Sequence, residues 1–565
     1  MNVLLLNLTR FGDLLQSQAA ITDIVRQGHK VAVLCLENFA EAAALLSGVS
    51  LVVPLPAAAF LAALDSGRAT GDERRQNWPA ALACLASLRE KLEADFAPDV
   101  VCNMTPSLSA RMLARFLASD KPCAGFAVDE FGFSANNSLW AAFLQGAAIT
   151  RGVSPFNVVD MFRRVAEPEA LVVGAETVAK ALPGDAGLRP PAEEALSAMR
   201  QRLEGVAPAG CKGFVAFQLG ASEDTRRWPT GFFAALGERL WREESACPVL
   251  LGGKGETELA RRYAQADKAP FIDMCGRTGL AELAAALCAC RLLVTNDTGT
   301  MHYAAGLGVP VLAVFLATAQ PFDTGPYRAG SLSVEPDLPC HPCSFGQSCC
   351  NRLPVSPEAG EPGNGGQIAA CRLAISPECL AELALSRLRG EQGPSGFARP
   401  AARVWLSEYD GEGFMDLRSL SGHDGEARTL WFLLQRHYIR QYLNGGRDKV
   451  FSPRPLPKAV VLPAAAGKAL ASALSEAAGL TDLMIQQGRV LLARPLPLMR
   501  ERFLGTWQKV HDCLRRSPYL GALSVIWMQE TQAEGQDLPV VLAVAENFSQ
   551  LLAALGAAIR ENGTK

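Results

Sequence analysis

Residues 291–315 read RLLVTNDTGTMHYAAGLGVPVLAVF. The apolar run Leu292-Leu293-Val294 breaks at Thr295-Asn296-Asp297-Thr298-Gly299-Thr300. A small-residue stretch follows from Met301 to Leu307, and Gly308-Val309-Pro310 leads into a second apolar run, Val311 to Phe315. This pattern predicts strand, turn, helix, strand. The first N–H groups of a helix lack intrahelical partners and the helix dipole favours an anion beside them, so the turn is a candidate phosphate site. Gly299 lets the backbone approach a ligand, Thr298 and Thr300 offer hydroxyls, and His302 sits in the first turn. The same residues also suit an ordinary capped helix.

Upstream, the pattern repeats. Phe214 to Leu219 predicts a strand, a polar loop runs from Gly220 to Thr230, and a helix spans Gly231 to Arg242. Strand Pro248 to Leu251 then leads through Gly252-Gly253-Lys254-Gly255-Glu256 into a helix from Thr257 to Ala266. Strand Phe271 to Asp273 and helix Leu280 to Ala289 return to the opening stretch. A first series precedes Pro183-Gly184-Asp185. It has strands at Met1 to Leu8, Lys30 to Cys35, Ser50 to Val53, Val100 to Asn103 and Ala124 to Phe126, and helices at Leu14 to Val25, Ala80 to Ala94 and Ser109 to Leu117. Alternating strands and helices predict parallel, doubly wound sheets, and two in succession form a cleft where the carboxyl-end loops converge.

At 565 residues the chain has room for three or four domains. A net charge of −3 and a pI near 6.2 give no general attraction to nucleic acid. No apolar run approaches the ~20 residues a membrane span needs, and no basic segment precedes the N-terminal apolar run, so the expected location is the cytoplasm. Of sixteen cysteines, ten are scattered as small apolar residues and six fall between Cys340 and Cys379. Cys340 and Cys343, with two residues between them, form a knuckle that can face one ion; Cys371 and one of Cys349 or Cys350 would complete a tetrathiolate. Zinc and iron suit thiolates alike, and free thiols in a loop are the alternative. The Gly- and Pro-rich stretch Pro354 to Gly366 reads as a flexible insertion, and Gly390 to Pro400 as a second one.

Four stretches along residues 1 to about 385 resemble glycosyltransferase family 9, the heptosyltransferase family: NLTRFGDLL (7–15), GASEDTRRWP (220–229), GGKGE (252–256) and NDTGTMHYAAGLGVPVLAVF (296–315). The resemblance implies an α/β fold of two facing Rossmann-like domains, the GT-B arrangement. It gives an acceptor-side domain over 1–185 and a nucleotide-sugar-binding domain over 186–390 with a Cys-rich insertion at 340–379. Residues 401–565 lie outside it and read as a mainly helical accessory region. There Trp431, Phe432, His437, Tyr438 and Tyr442 lie at helical spacing, which suits a core face or an acceptor groove.

Residue by residue, the resemblance implies that Asp297, Thr298, Gly299, Thr300 and His302 hold the donor's diphosphate and sugar. Arg226 stands where the family usually has a lysine facing the diphosphate, and Glu256 where an acidic residue holds the ribose. Asp13 matches the residue assigned as the base that deprotonates the acceptor. Without the resemblance, Asp13 would read as a helix cap and Glu256 as a first-turn glutamate. No Asp-x-Asp pair marks the second sheet, so the expectation is catalysis without a metal cofactor, with the helix N-terminus, Arg226 and Arg227 supplying the positive field. Relatives often carry a similar cysteine set ahead of an Ile-x-Pro-Glu helix start, here Ile375 to Glu378, and in some it binds iron. The implied function is an inverting glycosyltransferase moving a sugar, such as heptose from an ADP-heptose-like donor, to a lipopolysaccharide core or protein acceptor, with peripheral contact with the inner membrane. A nucleotide-sugar epimerase and a non-catalytic binding module are the alternatives.

Overall fold

The structure, a computed structural model, describes residues 1–57, 71–150, 152–167, 187–266, 268–344, 346–355, 366–391, 402–445, 450–456, 460–532 and 537–562. Most of the two stretches expected to be flexible lies outside these residues. Strands β1 (Asn2–Leu6), β2 (Lys30–Leu36), β3 (Val49–Leu55), β4 (Val100–Asn103), β5 (Cys123–Val128) and β6 (Ser134–Asn136) form the first sheet in the order β3-β2-β1-β4-β5-β6. All pairings are parallel except β5 with β6. Val3 to Leu6 are fully buried, as expected for strands covered by helices on both faces.

The second sheet is larger. Strands β7 (Gly213–Gln218), β8 (Ala246–Leu251), β9 (Ile272–Asp273), β10 (Leu293–Asn296), β11 (Val311–Val314) and β12 (Leu332–Pro336) are parallel, in the order β9-β8-β7-β10-β11-β12. Each sheet reverses direction once, between β1 and β4 and between β7 and β10. Loops at those switch points leave a crevice at the carboxyl ends of the strands. A small antiparallel pair, β13 (Arg352–Pro354) and β14 (Gln367–Ala369), closes the Cys-rich segment.

Three sequence expectations change. The helix expected over Leu14 to Val25 is two helices, Phe11–Gln16 and Gln18–Arg26, broken at Ser17, whose hydroxyl donates back to the Leu14 carbonyl at 2.5 Å. The region beyond 401 begins with two strands, β15 (Ala402–Tyr409) and β16 (Met415–Ser419), which extend the second sheet antiparallel from β12; helices follow only from Ala427. The helix Leu538–Asn562 contains a 22-residue segment, Leu538–Ile559, of mean hydropathy 1.6, long and apolar enough to cross a membrane. Its Phe548, Leu551 and Leu555 are fully buried in the helical region.

The aromatic helix face is core. Trp431, Phe432, Tyr438 and Tyr442 are buried, and His437 bonds to the Arg454 carbonyl at 2.9 Å. The helical region packs on the helix Leu139–Ile149 of the first domain: Trp140 Nε1 donates to Asn444 at 2.8 Å, and Gly146 leaves room for Val525. Asp160 ties all three parts together. It accepts from the Tyr327 hydroxyl at 2.7 Å and from the Met415 N–H at 2.9 Å, and burial raises its carboxyl pKa to about 6.

Candidate active site

One cavity of about 640 Å³ lies between the two sheets, and Asp13, Arg226, Glu256, Asp297, Thr298, Gly299, Thr300 and His302 all line it. The side facing β10 is polar. The opposite wall carries Met104, Pro106, Leu144, Met161 and Phe162. The two domains meet at glycines: an added Cβ on Gly12 would lie 3.5 Å from the Gly299 Cα, and one on Gly299 would lie 2.8 Å from the Phe11 ring.

Asp13 follows β1 in the first turn of its helix, and the N-cap is Arg10, which makes no side-chain cap bond. Asp13 is therefore not the N-cap. The Asn7 amide holds the Asp13 carbonyl at 3.3 Å. Across the cleft, the helix Gly299–Gly306 starts at Thr298 with no side-chain cap, so its N-terminus is not closed by its own sequence. His302 faces Gln16, whose amide nitrogen lies 3.1 Å from each imidazole nitrogen. Desolvation lowers the imidazole pKa to about 4, so the ring is neutral near pH 7.

Arg226 is almost fully buried and committed. Its Nη1 sits 3.4 Å from the Asp297 carboxylate and its Nη2 donates to Thr318 at 2.5 Å, while the buried Nε has no hydrogen-bond partner among the described residues. Arg227 does not line the cavity, in contrast to its expected role; it pairs with Asp224 at 2.5 Å. Glu256 accepts from Gln218 at 2.9 Å and from the Gly253 N–H at 2.7 Å, so it closes its own helix start while facing the cleft. A Cβ on Gly220 would fall 1.4 Å from its Oε1, so the carboxylate occupies space that only glycine leaves open.

Three residues assigned no role from sequence organise the site. Gln218, at the end of β7, donates to Glu256 and accepts from the Thr300 hydroxyl at 3.2 Å, joining the ribose-side loop to the turn after β10. Asn296, fully buried, donates to the Leu219 and Gly220 carbonyls at 2.9 and 3.2 Å and accepts from the Trp228 N–H at 2.9 Å. Gln16 carries the contact to His302. The only sequence signal for Gln218 and Asn296 was a polar residue closing an apolar strand.

The cysteine segment lies beside this site. Cys343 is surrounded by Cys371, Cys340, Cys349 and Cys350, and burial together with those neighbours raises its thiol pKa to about 11. Cys379 is apart, with Glu382 and Glu378 as its charged neighbours. Among the described residues no three of these sulphurs lie within 4.8 Å of one another; the trio that does is Asp337, His423 and Glu426, between whose carboxylates Arg403 already sits. The Cys343 N–H donates to the Ala317 carbonyl at 2.8 Å, and Ala317 also bonds Cys371. Next in sequence is Thr318, the partner of Arg226. The cluster is therefore linked to the donor-side cation through Ala317 and Thr318. His341 points away, its Nδ1 3.7 Å from buried Glu335.

The family profile of glycosyltransferase family 9 (heptosyltransferase) matches residues 85–352. Lipopolysaccharide heptosyltransferase 1 of Pseudomonas aeruginosa is 27% identical over 348 residues, which cover 61% of this chain and 86% of that protein. Lipopolysaccharide heptosyltransferase 2 of Escherichia coli K12 is 32% identical over 94 residues, 16% of this chain and 27% of that protein. Among solved structures, the Escherichia coli ADP-heptose lipopolysaccharide heptosyltransferase II aligns with a TM-score of 0.46 at 17% identity, covering 69% of this chain and 99% of that one. A region matching glycosyltransferase family 9 (heptosyltransferase) thus spans residues 85–352, and the relatives this chain resembles are glycosyltransferases of that family.

Proposed function

We propose that the protein transfers heptose, with inversion, from an ADP-linked donor to a saccharide of the lipopolysaccharide core. The convergence of the four family stretches on one cavity, with Asp13 across from the helix start at Thr298, is the observation that carries this reading. In it, the Asp13 carboxylate takes the proton of the acceptor hydroxyl as that oxygen attacks the anomeric carbon. The leaving diphosphate is met by the open helix N-terminus, by the Thr298 and Thr300 hydroxyls and by the positive charge of the Arg226 guanidinium. Glu256, preset by Gln218 and Gly253, accepts from the ribose hydroxyls. Neutral His302 contributes a hydrogen bond to the sugar and no charge. The sugar and the acceptor come from the relatives' names. Incubation with a panel of nucleotide sugars and a core-saccharide acceptor should release ADP only with the ADP-linked heptose. Transfer to protein alone would reassign the acceptor, and conversion of a nucleotide sugar to its epimer without diphosphate release would favour an epimerase.

The neutral imidazole has a pH consequence. The affinity for an ADP-sugar, whose diphosphate diester keeps its charge, should be flat between pH 5.5 and 8. A step near pH 6.5 that vanishes in His302→Gln would show a protonated ring in the site. For stability the sign is the opposite of a salt-bridged histidine: as pH falls from about 6.5 towards 4 the unfolded chain takes up the proton first, so His302 lowers stability across that window.

The thiol cluster fits a structural zinc or iron. Its donors are soft and Cys371, Cys340, Cys349 and Cys350 neighbour Cys343, whose raised thiol would lose its proton on binding a cation; no three of the sulphurs lie within 4.8 Å of one another among the described residues, so an ion would have to draw them together. Cys340, Cys343, Cys371 and one of Cys349 or Cys350 would hold the ion. Elemental analysis should find about one zinc or iron per chain, lost in Cys340→Ser. Because Ala317 links the cluster to Thr318 and Arg226, the same variant should weaken ADP binding severalfold. Metal-free protein whose five thiols all react at the rate of exposed cysteines would refute the site.

A further inference from the structure

The helices Ala464–Ala493 and Pro497–Arg516 form an antiparallel hairpin, tied by the Arg516–Glu476 pair at 2.8 Å. The helix Leu538–Asn562 runs back along the first of them, through Ser549 to Asp482 and Arg489 to Glu546, both at 2.7 Å. At the hairpin's turn the sequence reads RVLLARPLPLMRERFL, residues 489–504. Pro495 and Pro497 stiffen it, and the Arg494 and Leu496 N–H groups bond back into it at 2.8 Å each.

This end keeps its large apolar side chains outside. Leu492, Leu496 and Leu498 are 49%, 55% and 57% exposed, and Val490, Leu504 and, from the neighbouring helix, Val540 are also exposed. Leucines on a two-proline turn could have been turned into the bundle, where Phe503 and Val510 of the same helix are buried. Among them stand Arg494, Arg500 and Arg502, all exposed and without an ion pair among the described residues. Within residues 489–504 these three arginines, besides Arg489, which pairs with Glu546, stand against one acid, Glu501, in a chain whose net charge is −3.

A surface that needs apolar burial and anionic partners together narrows the choice of occupant. Self-association through a two-fold contact would press arginines against arginines. A bilayer with anionic headgroups meets both needs, since it admits apolar side chains beneath its headgroups and places phosphates around them. We propose that residues 490–504 dock the protein onto an anionic phospholipid membrane. Leu492, Leu496 and Leu498 enter the boundary between headgroups and acyl chains, and Arg494, Arg500 and Arg502 pair with lipid phosphates. The assignment does not rest on the sugar-transfer reading.

The test is co-sedimentation of the full chain with vesicles of phosphatidylcholine, with and without phosphatidylglycerol. Wild type should bind the anionic vesicles, more weakly as salt rises. Leu492→Asp/Leu496→Asp/Leu498→Asp should reduce that binding by at least about tenfold, and Arg494→Gln/Arg500→Gln/Arg502→Gln should remove the preference for anionic lipid. All six side chains are exposed, so far-ultraviolet circular dichroism and ADP affinity should match wild type in both variants. No binding to anionic vesicles, binding unaffected by the leucine changes, or binding indifferent to lipid charge would each overturn the proposal. A concentration-dependent dimer abolished by the leucine variant would reassign the surface to a second copy. Failure of the nucleotide-sugar panel would leave these vesicle results unchanged.

Discussion

Asp13→Asn is expected to lower turnover by about 10²–10⁴-fold while the donor dissociation constant moves by less than about threefold. The substitution keeps shape and removes only basicity. The supports around it do not depend on the carboxylate: Asn7 holds the backbone carbonyl of residue 13, and Gln16 holds His302. A helix cap would behave differently, because its loss would appear in stability. Here the N-cap position belongs to Arg10. Diphosphate release at saturating donor and acceptor, with donor binding by calorimetry, separates the two. Turnover within tenfold of wild type would remove Asp13 from the reaction.

Arg226→Ala is expected to cost about 3–5 kcal/mol of stability and to weaken ADP binding by more than about tenfold. The side chains of Arg226 and Asp297 are only 7% and 10% exposed, so removing the guanidinium leaves a carboxylate largely cut off from water. The second change Asp297→Asn should restore part of the stability and none of the ADP affinity. That split distinguishes a cation that merely neutralises Asp297 from one that also meets the diphosphate. Chemical denaturation and calorimetry on both variants provide the readouts, and unchanged ADP affinity in Arg226→Ala would point the guanidinium away from the donor.

Much of the site was legible because its chemistry lies in short loops at the ends of apolar strands. The Asp297 to Thr300 turn, Arg226 and Glu256 are each local in sequence, and each lines the cavity. What those groups are bonded to was not legible. Arg226 reads as a free cation until Asp297, 71 positions away, is placed against it. Gln16 and His302 are 286 positions apart, and no periodicity predicts that contact.

The chain's own pattern determined the two parallel sheets, since continuous runs such as Asn2–Leu6 and Val311–Val314 can be satisfied only by burial on both faces. It also determined which loops carry donors, because a glycine-containing turn leading into a helix has the same chemistry wherever the helix lies. Only the tertiary structure decided that β15 and β16 join the second sheet, because strand pairing depends on an edge that β12 supplies from elsewhere in the chain. Only the tertiary structure, again, set the thiol cluster against Ala317 and turned Leu492, Leu496 and Leu498 outward. Both depend on packing between distant segments, and burial is a property of neighbours that a residue's own sequence position does not contain.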